Sequence, residues 1–257
     1  MKKTILMFAA AGLMMATPSC KKGENDPFLS LSSRKSRVAG EWEMSNYVGN
    51  TQNTEVDGDF SASTSTYSGG VITTENSWYD AGSQTTTSST NNITVNQATW
   101  SFMKDGTFSS TMNTTSVSAS DIAGFTTTTT TVSTSTSTGN WSFIDKVKDS
   151  YKKKERMILN TLTETGSNQT TSVTVDNSGT FPTTTNVGDL TGWTNNYYSG
   201  ETAETWEIDQ LKGKEMIVKM MNQNSGTYSI TPNGGATTTS TNDVYTGDIT
   251  ITMAAVK

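Results

Sequence analysis

Histidine is absent from all 257 residues of this chain. Its absence excludes Ser-His-Asp triads, Cys-His pairs, imidazole bases and His-ligated zinc, which leaves carboxylates, lysine and tyrosine as the candidate catalytic groups. The carboxylate pairs Glu201/Glu204 and Asp57/Asp59 lie among Gly, Thr and other polar residues, a setting typical of solvated loop charges. The spacing after Asp57 also lacks the pattern of an EF-hand. The sequence therefore predicts a protein that is not an enzyme, with no cofactor and no metal site.

Cysteine occurs once, at Cys20, so an internal disulfide is excluded. The apolar fraction of 32% is well below the globular norm, and much of the chain therefore cannot lie in a core. Acidic residues outnumber basic ones by 24 to 18, which gives a net charge of −6. Because the basic residues are scattered, the sequence predicts that nucleic acid is not a partner.

Long hydrophobic runs are also lacking, and the apolar stretch at residues 5–16 is shorter than the roughly 20 residues that span a bilayer. It follows Lys2 and Lys3 and precedes Thr-Pro-Ser-Cys at residues 17–20, which resembles the lipobox of bacterial lipoproteins. The resemblance implies cleavage before Cys20 and attachment of diacylglycerol to it. An ordinary secretory signal with a chance cysteine is the alternative.

This leader predicts a signal peptide at residues 1–19, a lipidated flexible tether at 20–31 and one domain at 32–257. The lipid would hold the protein at the outer membrane or cell surface, with the periplasmic face as an open alternative. The membrane is thus the first predicted partner.

A short helix is predicted at residues 32–39, with Ser at its start, basic residues near its end and Gly40 after it. Beyond Gly40, apolar and polar residues alternate with the period of two that is typical of strands. Asp105-Gly106 and residues 211–214 predict hairpin turns. The final alternating run, 248–253, is expected to pair with an early strand and close a barrel.

Threonine and serine form an almost unbroken run at residues 126–138, and shorter runs lie at 85–90, 183–185 and 237–241. Threonine is β-branched and favours extended backbone, but its hydroxyl suits a wet surface. We therefore predict solvated strand for 126–138. Disorder or glycosylation is the alternative.

Five segments together resemble the lipocalin-like domain lipoproteins of diderm bacteria. They begin with Gly40-Glu41-Trp42, which is similar to the lipocalin G-x-W motif, and continue at residues 100–108, 139–141, 152–159 and 204–211. The resemblance implies an all-β, antiparallel, up-and-down lipocalin-like barrel with long Thr-rich hairpins. It also implies that Trp42 lies across the base of that barrel.

Apolar residues on the predicted strands are expected to face the barrel interior. They either fill a packed core or line a pocket for one small ligand, and both interpretations remain open at this stage. These candidate lining residues are Trp42, Met44, Trp100, Phe102, Phe108, Trp141, Phe143, Trp206 and Ile208.

Two hypotheses for function follow. The first is a lipid-anchored, non-enzymatic envelope lipoprotein whose barrel binds or carries a small apolar ligand. The alternative is a surface recognition or structural module that contacts glycans or envelope proteins through Thr-rich hairpins and aromatic residues in predicted loops. The candidate aromatic residues are Trp78, Tyr79, Trp193, Tyr197 and Tyr198.

Overall fold

The computed structural model of the chain describes residues 33–55, 58–148, 150, 155–230 and 239–256, with the backbone alone described for 221–230 and 239–245. The predicted leader, the Cys20 lipidation site and the tether lie outside these residues. Asp57, the lysines at 152–154 and the first residues of the Thr run at 237–241 also lie outside them.

The predicted short helix is confirmed as α1, Arg34–Val38. Ser33 caps it, because its side chain accepts a 3.1 Å hydrogen bond from the backbone N–H of Ser36. Among the described residues, no helix is long and apolar enough to cross a membrane.

Twelve strands are present in the described part of the chain, and all of their pairings are antiparallel, which confirms the all-β prediction. They are β1 (Gly40–Thr54), β2 (Phe60–Ser68), β3 (Val71–Asp80), β4 (Thr85–Phe102), β5 (Thr107–Ile122), β6 (Phe125–Phe143), β7 (Arg156–Asp176), β8 (Thr184–Val187), β9 (Thr191–Asn196), β10 (Ala203–Lys212), β11 (Glu215–Ile230) and β12 (Thr239–Ala255).

Two short pairings close the sheet into a ring. The first residues of β1 pair with the end of β4, with Trp42 opposite Trp100, and the first residues of β7 pair with β10, with Met157 opposite Trp206. Strands β1, β4, β5, β6, β7, β10, β11 and β12 thus form a closed circuit. The predicted pairing of the last strand with an early one is confirmed by β12 and β1.

The ring is closed only near one end of its strands. Beyond that end, the β2–β3 hairpin lies between β1 and β4, while β8 and β9 pair with β7. Strand β6 has 19 residues, so it spans about 60 Å at ~3.3 Å per residue. The Thr run at 126–138 lies within β6, so the prediction that it forms strand is confirmed.

The apolar core lies at the closed end of the ring. Phe102, 1% exposed, is at its centre and makes edge-to-face ring contacts with Trp141 at 5.6 Å and Trp206 at 6.4 Å. Helix α1 covers this end, because Arg34 and Arg37 donate hydrogen bonds to backbone carbonyl oxygens of β10. Helix α1 therefore places the first described residues at the closed end, from which the long strands extend.

Candidate functional site

Seven of the nine candidate lining residues are buried in the core at the closed end of the ring. The other two, Trp100 and Phe143, are half-buried and pack against that core. The residues buried in the core are Trp42, Met44, Phe102, Phe108, Trp141, Trp206 and Ile208. Their packing explains their apolar character, and a role in ligand binding stays a prediction.

The face of the sheet that carries the core continues beyond the core as a polar surface. Tyr47 is the last large side chain of β1 that packs against the core, and alternation then places Thr51 and Asn53 on the same face. Residues opposite one another in antiparallel strands share a face, so the register extends this surface across β2, β3 and β4. The side chains on it carry hydroxyl and amide groups in place of apolar ones.

Two rows of paired residues cross these four strands. The first row runs Thr51, Ser63, Asn76 and Ser89, and the second runs Asn53, Ser61, Trp78 and Thr87. Trp78 was predicted from the sequence but its neighbours were not, because the pattern of a Ser/Thr-rich strand does not reveal which residues lie opposite one another. Only the register brings them together.

The two rows enclose a cleft of about 390 Å³, which we call the Trp78 cleft. This volume lies at the lower end of the ~300–1,000 Å³ range of small-molecule sites. Trp78 is 52% exposed, and none of the described residues that line the cleft is charged. The lining residues are Thr51, Ser61, Ala62, Ser63, Asn76, Ser77, Trp78, Thr87, Ser88 and Ser89.

The polar side chains of this cleft are available to a ligand. Within the described residues, neither the Asn76 amide nor the Trp78 indole N–H has a hydrogen-bond partner. Ser65 of β2 and Thr74 of β3 lie two residues from the cleft along their strands, and their hydroxyl groups hydrogen-bond to each other at 2.8 Å. Those two hydroxyl groups are therefore already paired. The cleft thus presents free donors and acceptors beside one exposed aromatic ring.

Trp193 lies on the same face of the sheet, but on β9. It is opposite Gly166 of β7, and its ring fills the space where a side chain at Gly166 would lie. Trp193 is therefore held against the backbone of β7 and is half-buried. It is less accessible than Trp78.

Three of the five aromatic residues predicted to lie in loops are instead in strands. Trp78 and Tyr79 belong to β3, and Trp193 belongs to β9. The prediction was wrong because Ser, Thr and Asn around these residues were interpreted as loop composition, whereas cross-strand pairing holds these segments extended. Tyr197 and Tyr198 do follow the end of a strand.

The two tyrosines after β9 differ in their environments. The Tyr197 hydroxyl donates a 3.2 Å hydrogen bond to Glu164, and the backbone N–H of Tyr197 donates to the Leu162 carbonyl oxygen at 2.8 Å. Tyr198 is 88% exposed. Tyr197 is therefore fixed by the sheet, whereas the side chain of Tyr198 is exposed to solvent.

The acidic residues considered as catalytic groups make local structural contacts. Glu201 accepts a 2.9 Å hydrogen bond from the backbone N–H of Tyr198, and Glu204 accepts one of 3.3 Å from the Trp206 indole. Among the described residues, no three potential metal ligands cluster together.

Asp176 organises the turn after β7. Its carboxylate accepts hydrogen bonds from the hydroxyl and backbone N–H of Ser178 and from the backbone N–H groups of Phe181 and Thr180. These bonds, led by the Ser178 hydroxyl, lower the pKa of Asp176 from 3.8 to about 2. The Asp176 carboxylate therefore stays ionised at neutral pH and stabilises the turn through these hydrogen bonds.

Neither a protein-family model nor a curated protein matches the sequence. Within the geometry of the described residues, the Trp78 cleft combines exposure, volume and unpaired polar groups, whereas the core residues at the closed end of the ring are buried against one another.

Proposed function

We propose that this protein is a lipid-anchored, non-enzymatic envelope lipoprotein that recognises glycans or envelope proteins with the polar face of its extended strands. In this proposal the closed end of a lipocalin-like barrel is a packed platform. The observation that carries the proposal is the change along one face of the sheet, from buried apolar residues at the closed end to the hydroxyl groups, amides and exposed Trp78 beyond it.

The packing of the closed end supports recognition elsewhere on the sheet. Phe102, Met157, Ile208, Met216 and Met253 are each less than 2% exposed, so the closed end is filled by its own side chains. An apolar ligand placed farther along the sheet would cover hydroxyl and amide groups without giving them hydrogen bonds, at a cost of about 1–3 kcal/mol for each group. A polar ligand would restore those bonds.

The direction of the strands also supports this proposal. The chain enters the sheet through α1 at the closed end, so a tether that runs from Cys20 would hold that end toward the membrane. Ile122 at the far turn lies fourteen positions after Phe108 in the core, which places that turn about 45 Å away along β5. The polar strands would therefore extend from the membrane toward their target.

Carriage of a small apolar ligand is the second candidate function. It is favoured by the half-buried Met112, Met220 and Ile249, which pack against the core and lie farther from the closed end than the buried core residues of their own strands. A ligand seated there would touch apolar side chains on one side and polar strands on the other. This candidate predicts a stoichiometric apolar molecule bound to the protein purified from its host.

The recognition proposal is tested with the full chain, purified from its host membrane and reconstituted in lipid nanodiscs on a biosensor surface. Solubilised envelope components from the same host are passed over it untreated, after periodate oxidation of glycans, or after proteolysis. Empty nanodiscs are the control surface. A Cys20→Ala variant, followed for membrane association and incorporation of labelled palmitate, tests the anchor separately.

We expect saturable binding to the chain that periodate or protease abolishes, which identifies the class of target. Binding no greater than to empty nanodiscs would contradict the recognition proposal. A noncovalent apolar molecule released from the purified chain at one per protein would favour carriage instead. Membrane association that persists in Cys20→Ala would contradict the proposed lipid anchor but would leave the recognition proposal standing.

A further inference from the structure

The Trp78 cleft has the chemistry of a site for an uncharged sugar. We propose that it binds a pyranose ring of a neutral saccharide, an inference that rests on the proposed recognition function and gives it a ligand class. The cleft joins an exposed aromatic ring, unpaired hydroxyl and amide groups and an uncharged lining within about 390 Å³.

Trp78 provides the apolar part of such a site. A pyranose ring has a face of C–H groups, whose partial positive charge suits the negative face of an indole. Because Trp78 is 52% exposed, its ring is accessible without rearrangement of the strand. An indole also offers a large contact area with few rotatable bonds, so little entropy is lost when a ligand orders it.

The row of Thr51, Ser63, Asn76 and Ser89 provides the polar part. The hydroxyls of Thr51, Ser63 and Ser89 donate and accept hydrogen bonds, and the Asn76 amide does both from separate atoms, as sugar hydroxyl groups require. The strand register fixes these groups beside Trp78, because Asn76 precedes it by two residues on the same face of β3. A sugar packed on the indole would therefore have its equatorial hydroxyls directed at this row.

The absence of charge in the lining selects neutral saccharides. Sialylated, uronic or sulfated glycans are bound most strongly where Arg or Lys pairs with their anionic groups, and the described lining of the cleft includes neither. The net charge of −6 adds a weak repulsion of anions. Neutral hexoses and N-acetylhexosamines carry no charge, so they are not repelled and need no Arg or Lys partner.

The test uses the full chain in lipid nanodiscs and isothermal titration with four neutral hexasaccharides, built from glucose, mannose, galactose or N-acetylglucosamine. A hexamer of galacturonic acid and a sulfated hexamer are the charged comparators. Trp78→Ala removes the indole and Asn76→Ala removes the amide. Trp193→Ala is the matched control, since it removes a tryptophan from the same face on a different strand.

We expect at least one neutral hexasaccharide to bind with one site per chain. Trp78→Ala should weaken it about tenfold or more, as loss of a buried aromatic anchor does, and Asn76→Ala about threefold or more. Trp193→Ala should bind as the unmodified chain does. Circular dichroism and the thermal midpoint identify any variant that is unfolded, and Asn76→Ala decides the matter if Trp78→Ala is one of these.

Three results would overturn the inference. They are the failure of all four neutral hexasaccharides to bind at 5 mM, a preference for the charged hexamers, and unchanged affinity in the folded Trp78→Ala and Asn76→Ala variants. If the chain still captures an envelope component in the biosensor experiment, the recognition function stands and the ligand class is wrong. Capture that protease abolishes and periodate does not would assign the target to envelope proteins.

Discussion

The indole nitrogen of Trp42 donates a 2.8 Å hydrogen bond to the carbonyl oxygen of Val38. Trp42 is 2% exposed and Val38 is fully buried, so this bond joins the end of α1 to the first strand inside the core. The helix is also held by Arg34 and Arg37, whose guanidinium groups donate to carbonyl oxygens of β10. Trp42 thus joins the helix to the closed end of the ring.

Trp42→Phe should destabilise the protein by about 1–3 kcal/mol, because it leaves the Val38 carbonyl oxygen buried without its partner and removes part of a packed ring. Chemical denaturation followed by circular dichroism measures the free energy of unfolding. Trp78→Phe is the control, since Trp78 is half exposed, and it should change stability by no more than about 0.5 kcal/mol. Equal effects of the two variants would contradict the structural role of Trp42.

Gly139 is required where β6 crosses the core. A side chain there would overlap the Asn160 carbonyl oxygen and lie 3.0 Å from the Phe108 ring. Gly139→Ala should therefore lower the thermal midpoint and cost about 1–3 kcal/mol, the range for overpacked cores. Gly213→Ala is the matched control because nothing lies within 4 Å of its position, and it should leave stability unchanged or slightly raised. A Gly139→Ala variant as stable as Gly213→Ala would contradict this packing.

Much of the fold is predictable from local sequence. Ser33, Gly40 and Asp105-Gly106 have strong conformational preferences of their own, so the helix and the first secure hairpin were predicted correctly. The position of the last strand followed from its clean alternation and was also correct.

The candidate site is not predictable in the same way. Thr51 and Ser63 are separated from Trp78 along the chain, and only the registers of the β1–β2 and β2–β3 pairs bring them together. In Ser/Thr-rich strands both faces are polar, so the sequence does not mark the register. The same composition led to the wrong prediction that Trp78, Tyr79 and Trp193 lie in loops.

Titration of Asp176 should show a pKa near 2, measured from the carboxyl carbon by NMR. Since its folded-state pKa lies below the unfolded value of about 3.9, the carboxylate stabilises the turn above pH ~4. That stabilisation is lost as the pH falls through about 2. Ser178→Ala should raise the pKa of Asp176, because the Ser178 hydroxyl is the main hydrogen-bond donor to its carboxylate. The remote Ser83→Ala should leave that pKa unchanged. A midpoint near 3.8 in the unmodified chain would contradict the hydrogen-bonded turn.

Gly166→Ala should displace Trp193 from the backbone of β7, because the new methyl group would overlap the indole ring. We expect Trp193 to become more exposed to solvent, which shifts its fluorescence emission to longer wavelength. The contribution of Trp193 is isolated by subtracting the emission of a Trp193→Phe variant. Gly192→Ala is the control, since its nearest neighbour would be the Gly166 carbonyl oxygen at an ordinary 3.7 Å. An unchanged spectrum in Gly166→Ala would contradict the contact between Trp193 and Gly166.

Hydroxyl-radical footprinting with mass spectrometry tests most directly whether recognition takes place at the polar face or at the core. The full chain in lipid nanodiscs is oxidised with and without isolated envelope from its host, and the oxidation rates of Trp78, Trp100 and Phe143 are compared. We expect the envelope to slow oxidation of Trp78 severalfold and to leave the oxidation rates of Trp100 and Phe143 unchanged. Protection of Trp100 and Phe143 with Trp78 unaffected would contradict recognition at the polar face and place the ligand at the core.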